Sequence, residues 1–239
     1  YGGKEFAIHA KGLELAAYEP RKSVGMGLGY ATANRGGCHL NGGYLALFES
    51  VGVIKVDPHT SKGKPELTVM FQNYLEAVSA AGFCLFTAQA VVPGFLFKLR
   101  PNHPILKLVN KAMLGVRFFL RPIWWLMPGL MSFNLMALMP QAKVLGLVTG
   151  LPMTAGKLMQ IGERGFNIER LFNIREGLDG HSDSLPLRLT ETAQSADEPR
   201  AKVPLAEMLP VYYRVRGWDT NGVPGKRKLR QLGIQPENE

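Results

Sequence analysis

Cysteine is scarce: the 239 residues contain only Cys38 and Cys84. A disulfide framework is thereby excluded, and so is a zinc or iron–sulfur quartet built by this chain alone, since neither cysteine has a close-spaced second. A serine elbow is missing, and no paired-carboxylate pattern stands out. The glycine run lacks the Lys-Ser/Thr ending of a P-loop and has no βαβ context before it, so nucleotide binding has little support. No internal repeat is present. Basic runs are nearly absent as well. The formal net charge is +9, yet only GKRKLR (Gly225–Arg230) clusters its cations. A run of that length reads as a solvated helix face, so nucleic acid is not an expected partner.

What is present describes a globular chain with a substantial core: 46% hydrophobic and 20% charged residues. GKEFAIHAKGLELAAYEPR opens with short apolar alternation and ends in a turn at Pro20. A helix is expected from Gly25 toward Arg35, stopped by Gly36–Gly37. Between Glu66 and Ala81, the residues Leu67, Met70, Phe71, Leu75 and Val78 recur at helical spacing, and Gly82 suits the C-cap. Cys84 would then stand just past a rigid element. A core-facing stripe through Leu158, Phe166 and Ile174 predicts a helix from the cap Thr154 to the stop Gly177. The polar stretch from Leu178 to Lys202 reads as mostly loop. Another helix opens at Pro204 and tolerates Pro210, and the tail holds a short amphipathic one. The architecture is mainly α, with long irregular connections.

The middle differs. Val91 to Leu151 is rich in Leu, Met, Phe, Trp and Pro, and Pro122 to Ala142 carries no charge. That length approaches a membrane span, but Pro128, Gly129 and Pro140 interrupt it and Arg117, Arg121 and Lys143 crowd its ends. A buried or interfacial helical hairpin is the preferred reading, with a lid over an apolar channel as the alternative.

GMGLGYATANRGGCHL (Gly25–Leu40) places Cys38 and His39 at the end of five glycines. His39 reads as a proton donor, a metal ligand or a structural histidine. Its position between glycine-rich segments favours function, since functional groups concentrate where backbone approaches a ligand. Cys38 reads as a small buried residue, and Cys84 in AGFCLF as a buried thiol or a ligand whose partners lie elsewhere.

Taken together, these motifs resemble the C-terminal region of the aldehyde:ferredoxin oxidoreductase family, the tungsten or molybdenum bis-pterin enzymes. The resemblance runs in order through EPR (Glu19–Arg21), the glycine run, AGFCLF, IGERGFNIERLFNIREG (Ile161–Gly177), DSLPLRL (Asp183–Leu189) and Met208–Ile234. It spans nearly the whole chain apart from an apolar insertion at about 91–142. The fold it implies is the family's C-terminal helical domain, residues 1–239 forming part of a longer chain. The N-terminal β domain and middle helical domain lie elsewhere, in line with a first methionine at Met26.

The resemblance also implies residue roles. His39 would hydrogen-bond or protonate the substrate oxygen. Cys84 would be one ligand of a [4Fe–4S] cluster, its thiolate close to a pterin. Gly82 and Phe83 would touch that pterin. Ser79 stands where the family usually has an aspartate on the pterin ring, a weaker partner for an amino-pyrimidine edge. Asn73 and Glu76 are the neighbouring candidates to substitute for it. The implied reaction oxidises an aldehyde to a carboxylic acid and passes electrons to a ferredoxin or ferredoxin-like subunit. A cytoplasmic location is expected from the oxygen-sensitive cofactor class and the lack of a visible export signal. A non-catalytic helical paralogue is the rival reading, and attachment to a membrane surface or a partner through 91–142 is compatible with either.

Overall fold

The computed structural model describes residues 3, 6–123 and 139–235. Two residues per strand make the only sheet among them: β1 (His9–Ala10) pairs antiparallel with β2 (Leu13–Glu14). The rest is helical, as the periodicity predicts. The order is α1 (Val24–Thr32), α2 (Lys64–Ala80), α3 (Pro104–Ile123), α4 (Pro140–Thr149), α5 (Ala155–Arg175), α6 (Leu187–Thr190), α7 (Leu205–Arg216) and α8 (Lys226–Leu232).

Helix ends follow local chemistry. The Thr154 hydroxyl accepts from the Lys157 amide and starts α5. Past α2, the Gly82 amide donates to Ser79 and the Phe83 amide to Val78, with Gly82 at φ +74°. That is a Schellman stop, and it fixes where the chain leaves toward Cys84. α1 ends sooner than the Gly36–Gly37 pair suggests. Ala33 turns extended and the Asn34 amide bonds to the Asn41 side chain instead. Pro204 sits at the N-cap of α7, one position before the helix begins. The polar stretch after Leu178 is mostly irregular but holds a 3₁₀ turn at Gly180–Ser182 and the single turn α6.

α1, α2, α5 and α7 surround the main core. Met26 and Leu28 meet Val69, Phe166, Met208, Tyr212 and Trp218 there. The α2–α5 contact is backbone to backbone: a Cβ on Gly162 would stand 1.7 Å from the Asn73 carbonyl oxygen. Every residue of α1 is buried, and its glycines serve packing. A Cβ on Gly29 would reach within 2.1 Å of the Gly42 carbonyl oxygen, so the helix lies directly on the turn that carries His39.

A second cluster joins α2 to α4 and the start of α5. A third packs Leu96 and Leu106 on Phe48 and Val56. The middle section thus contributes α3 and α4, both partly applied to the body. Most of the uncharged run Pro122–Ala142 lies outside the described residues. Among those described, no helix is long and apolar enough to cross a membrane.

Candidate functional site

His39 projects from the turn between Gly36 and Tyr44. The turn is pinned from below by Glu169 of α5, whose Oε2 accepts from Asn34 Nδ2 at 3.1 Å and Asn41 Nδ2 at 3.3 Å. Asn173 Nδ2 donates to the Asn34 carbonyl at 2.8 Å. The His39 carbonyl accepts from the Tyr44 amide. Tyr44 holds φ +48°, a left-handed conformation that a tyrosine adopts only when its surroundings enforce it.

The half-buried imidazole lies against two tyrosines. Ring centroids stand 5.3 Å from Tyr18 and 5.5 Å from Tyr44, and the two hydroxyls are hydrogen-bonded at 2.9 Å. Burial lowers the His39 pKa, favouring the neutral ring near pH 7. Burial and then the Tyr18 bond push the Tyr44 phenol up to about 12, so it remains a hydrogen-bonding group.

Cys84 stands exposed, with no disulfide, at the N-cap of a 3₁₀ segment, Leu85–Val91. Its carbonyl accepts from the Thr87 amide and hydroxyl, and the Thr87 carbonyl in turn takes Gln141 Nε2 at 2.7 Å. Gln141 also accepts the Tyr74 hydroxyl, so α2 and α4 together fix the segment that follows the thiol.

The turn that carries His39 and the segment that follows Cys84 both contribute walls to one small apolar cleft, although neither His39 nor Cys84 is itself among its lining residues. Leu40 and Tyr44, next to His39 in the chain, line one side. Leu85 and Phe86, directly after Cys84, line another, with Phe71 and Tyr74 of α2 between them. Ser79 lies half-buried at the end of α2, Gly82 has open space where a side chain would project, and Phe83 packs into the second cluster. Cys38 is half-buried and its sulfur accepts from the Asn41 amide at 3.4 Å, a structural part. Among the described residues no three His, Cys, Asp or Glu side chains converge on a metal position.

Of the two candidates to stand in for an aspartate at position 79, Asn73 is already committed: its Oδ1 accepts Arg216 Nη1. Glu76 points toward α5. Burial and the nearby Glu169 raise its pKa to about 7, against the pull of Arg35 and Arg216.

Several organising residues carried no signal in the sequence. Asp183 gathers Lys11 at 2.7 Å, both Arg170 nitrogens at 2.9 and 3.1 Å, and the Tyr213 hydroxyl at 2.7 Å. The β-hairpin turn, α5 and α7 are thereby tied together in the interior. Desolvation lowers the Lys11 pKa, while Asp183 opposes that shift. Glu49 accepts the Gly25 and Met26 amides at 2.8 and 3.0 Å and pairs with buried Lys64. It is an N-terminal anion for α1 supplied from the short helical segment Leu47–Val51. Glu19 plays the same part for the 3₁₀ turn Pro20–Lys22 and pairs with Arg21.

The helical body thus brings the His39 turn and the segment after Cys84 to the walls of one cleft. Comparison with known proteins gives the family. The family model described as "Aldehyde ferredoxin oxidoreductase, domains 2 & 3" matches residues 1–234, and the chain belongs to that family. It is 36% identical over 238 residues to the tungsten-containing aldehyde ferredoxin oxidoreductase of Pyrococcus furiosus. To the protein of the same name from Thermococcus kodakarensis it is 34% identical over 238 residues. In both cases 98% of this chain is covered, against 32% of the relative, so the chain spans about a third of the length of these proteins.

Proposed function

We propose that this chain forms one wall of the active site of an enzyme that oxidises aldehydes to carboxylic acids. Water supplies the added oxygen, and two electrons and two protons leave. The observation that carries the reading is the facing of the His39 turn and the Cys84 segment across one cleft in a member of this family. Residues 1–239 are read as the C-terminal helical domain of a longer chain, which supplies the N-terminal β domain and the remaining ligands. The electron acceptor is read as a ferredoxin or ferredoxin-like subunit, and the location as cytoplasmic.

The residues present fit a tungsten or molybdenum bis-pterin with one [4Fe–4S] cluster. Cys84 is a free, outward-facing thiol beside backbone that is open at Gly82. A single accessible thiolate suits a cluster whose other ligands come from elsewhere. When bound, the metal group takes two electrons and the cluster releases them singly. The chain's own contribution is positional. Cys84 would hold iron, the loop at Gly82 and Phe83 would touch the pterin, and Ser79 would offer one hydroxyl. His39, kept neutral by burial, presents an N–H to a carbonyl oxygen and a lone pair to a departing proton. The apolar walls exclude water from the aldehyde's remainder.

The test is aldehyde-dependent reduction of a ferredoxin or viologen acceptor by the full-length protein. His39→Ala is expected to lower kcat by about 10²–10⁴-fold with iron and tungsten or molybdenum content unchanged. Unchanged turnover in that variant would remove His39 from the mechanism.

A further inference from the structure

Acidic residues are absent from a long part of this chain. Between Glu76 and Glu163 there is no Asp or Glu, while eight Lys and Arg fall in the same interval, from Lys98 to Lys157. At the chain's overall acidic content roughly seven would be expected there. That interval therefore carries nearly all of the net charge of +9.

The same interval turns apolar side chains outward. On α4, Val144, Leu147, Val148 and Leu151 follow the i, i+3, i+4, i+7 spacing of one helix face, with Leu151 just past the helix end. Leu147 is 75% and Val148 80% exposed. The opposite face is the packed one: Gln141 and Ala142 are buried, with Lys143 exposed beside the stripe. α3 repeats the pattern at its start. Leu106 is buried and Asn110 bonds inward to Lys55 and Val53, while Ile105 and Leu108 face out near the exposed Lys107 and Lys111. Ahead of α3, Phe95 and Phe97 are exposed beside Lys98 and Arg100, and Leu96 between them is buried.

Inward positions are thus satisfied, and the outward positions combine apolar residues with cations and no acid. An ordinary solvated face would carry both signs of charge, and a face buried against protein would bring a mix of charges or few. Exposed apolar side chains among cations alone match the boundary of an anionic bilayer. There, hydrocarbon accepts the Leu, Val and Phe side chains, and lipid phosphates accept the Lys and Arg head groups. We propose that Phe95–Lys111 and the outer face of α4 form a docking surface for an anionic membrane leaflet, bound without crossing it. None of the described helices is long and apolar enough to cross. None of these outward side chains lines the cleft beside the His39 turn, so the proposal stands or falls independently of the aldehyde reaction.

The experiment uses the full-length, metal-loaded protein and sedimentation with vesicles of phosphatidylcholine alone or mixed equally with phosphatidylglycerol. Binding to the anionic vesicles is expected to exceed binding to the neutral ones by at least about tenfold at low salt and to weaken as salt is raised. The double variant Leu147→Glu/Val148→Glu is expected to lose most of that binding while its circular dichroism and aldehyde oxidation stay unchanged. Should that variant misfold, Lys107→Glu/Lys111→Glu tests the charge half with the same expected loss. Equal binding to both vesicle types, or full binding by a folded variant, overturns the proposal. So does hydroxyl-radical footprinting that finds Leu147 and Val148 protected in the vesicle-free protein. With a monomeric mass the rest of the chain is then the occupant; with a dimeric mass it is a second copy.

Discussion

His39 owes its orientation to residues far from it in sequence. Its ring lies against Tyr18 and Tyr44, whose hydroxyls bond to each other, while Glu169 anchors the turn through Asn34 and Asn41. Tyr44→Phe keeps the ring but removes one hydroxyl bond. It is expected to cost about 1 kcal/mol in urea unfolding. Glu76 gives a pH signature. Its folded pKa of about 7 lies above the ordinary 4.5, so the folded protein binds that proton more tightly than the unfolded chain does. The stabilisation is fully present below pH 4.5 and is lost as pH rises through 7. Glu76→Gln is therefore expected to match the parent near pH 4 and to be more stable at pH 8. The gain is roughly 1 kcal/mol once solvent screening of this partly exposed group is allowed for. Thermal unfolding at the two pH values checks it, and a variant equally or less stable at pH 8 contradicts it. The turns that carry His39 and Cys84 were legible in the sequence because each residue sits in a short motif beside glycine. The Tyr18–Tyr44 pair and the Asp183 cluster were not. Their members are separated by tens of residues or more, and nothing local marks a tyrosine that will be forced to positive φ.

At the scale of elements, the helices were legible because apolar spacing, caps and glycine stops all agree. α2 and α5 follow their stripes to within two residues at each end. What the spacing did not carry is which helices touch. α2 and α5 approach so closely at Gly162 that no side chain fits against the Asn73 carbonyl. Gly162→Ala is expected to cost about 2–3 kcal/mol, read from chemical denaturation, although alanine is the better helix former. Wild-type stability there would mean the two helices are not in backbone contact. α1 depends on a partner of another kind. Glu49 satisfies two amides at its N-terminus and neutralises Lys64, all out of water. Its desolvation raises the carboxyl pKa against the pull of Lys64. Glu49→Ala leaves a buried cation and two open donors, for an expected loss of about 3–5 kcal/mol. Because α1 carries the His39 turn on its glycines, aldehyde oxidation should fall with it.

At the scale of the whole molecule, the chain is a helical body with its chemistry at an edge. Chain neighbours of His39 and Cys84 line one cleft, and no convergent metal-binding group exists among the described residues. The relatives are three times longer, which is consistent with a site completed by other parts of a protein. The fold class and family were readable from ordered motifs. The outward apolar faces of α3 and α4 were not, since periodicity identifies a helix's apolar stripe without saying whether it faces core or solvent. The central claim is that this body closes a metal and iron–sulfur site. Its most direct test is iron, tungsten and molybdenum content per polypeptide in the intact native protein, measured beside Cys84→Ala. The account predicts about four irons and one tungsten or molybdenum in the native protein, with iron lost from the variant. A metal-free native protein, or a variant that keeps all its iron, would contradict it.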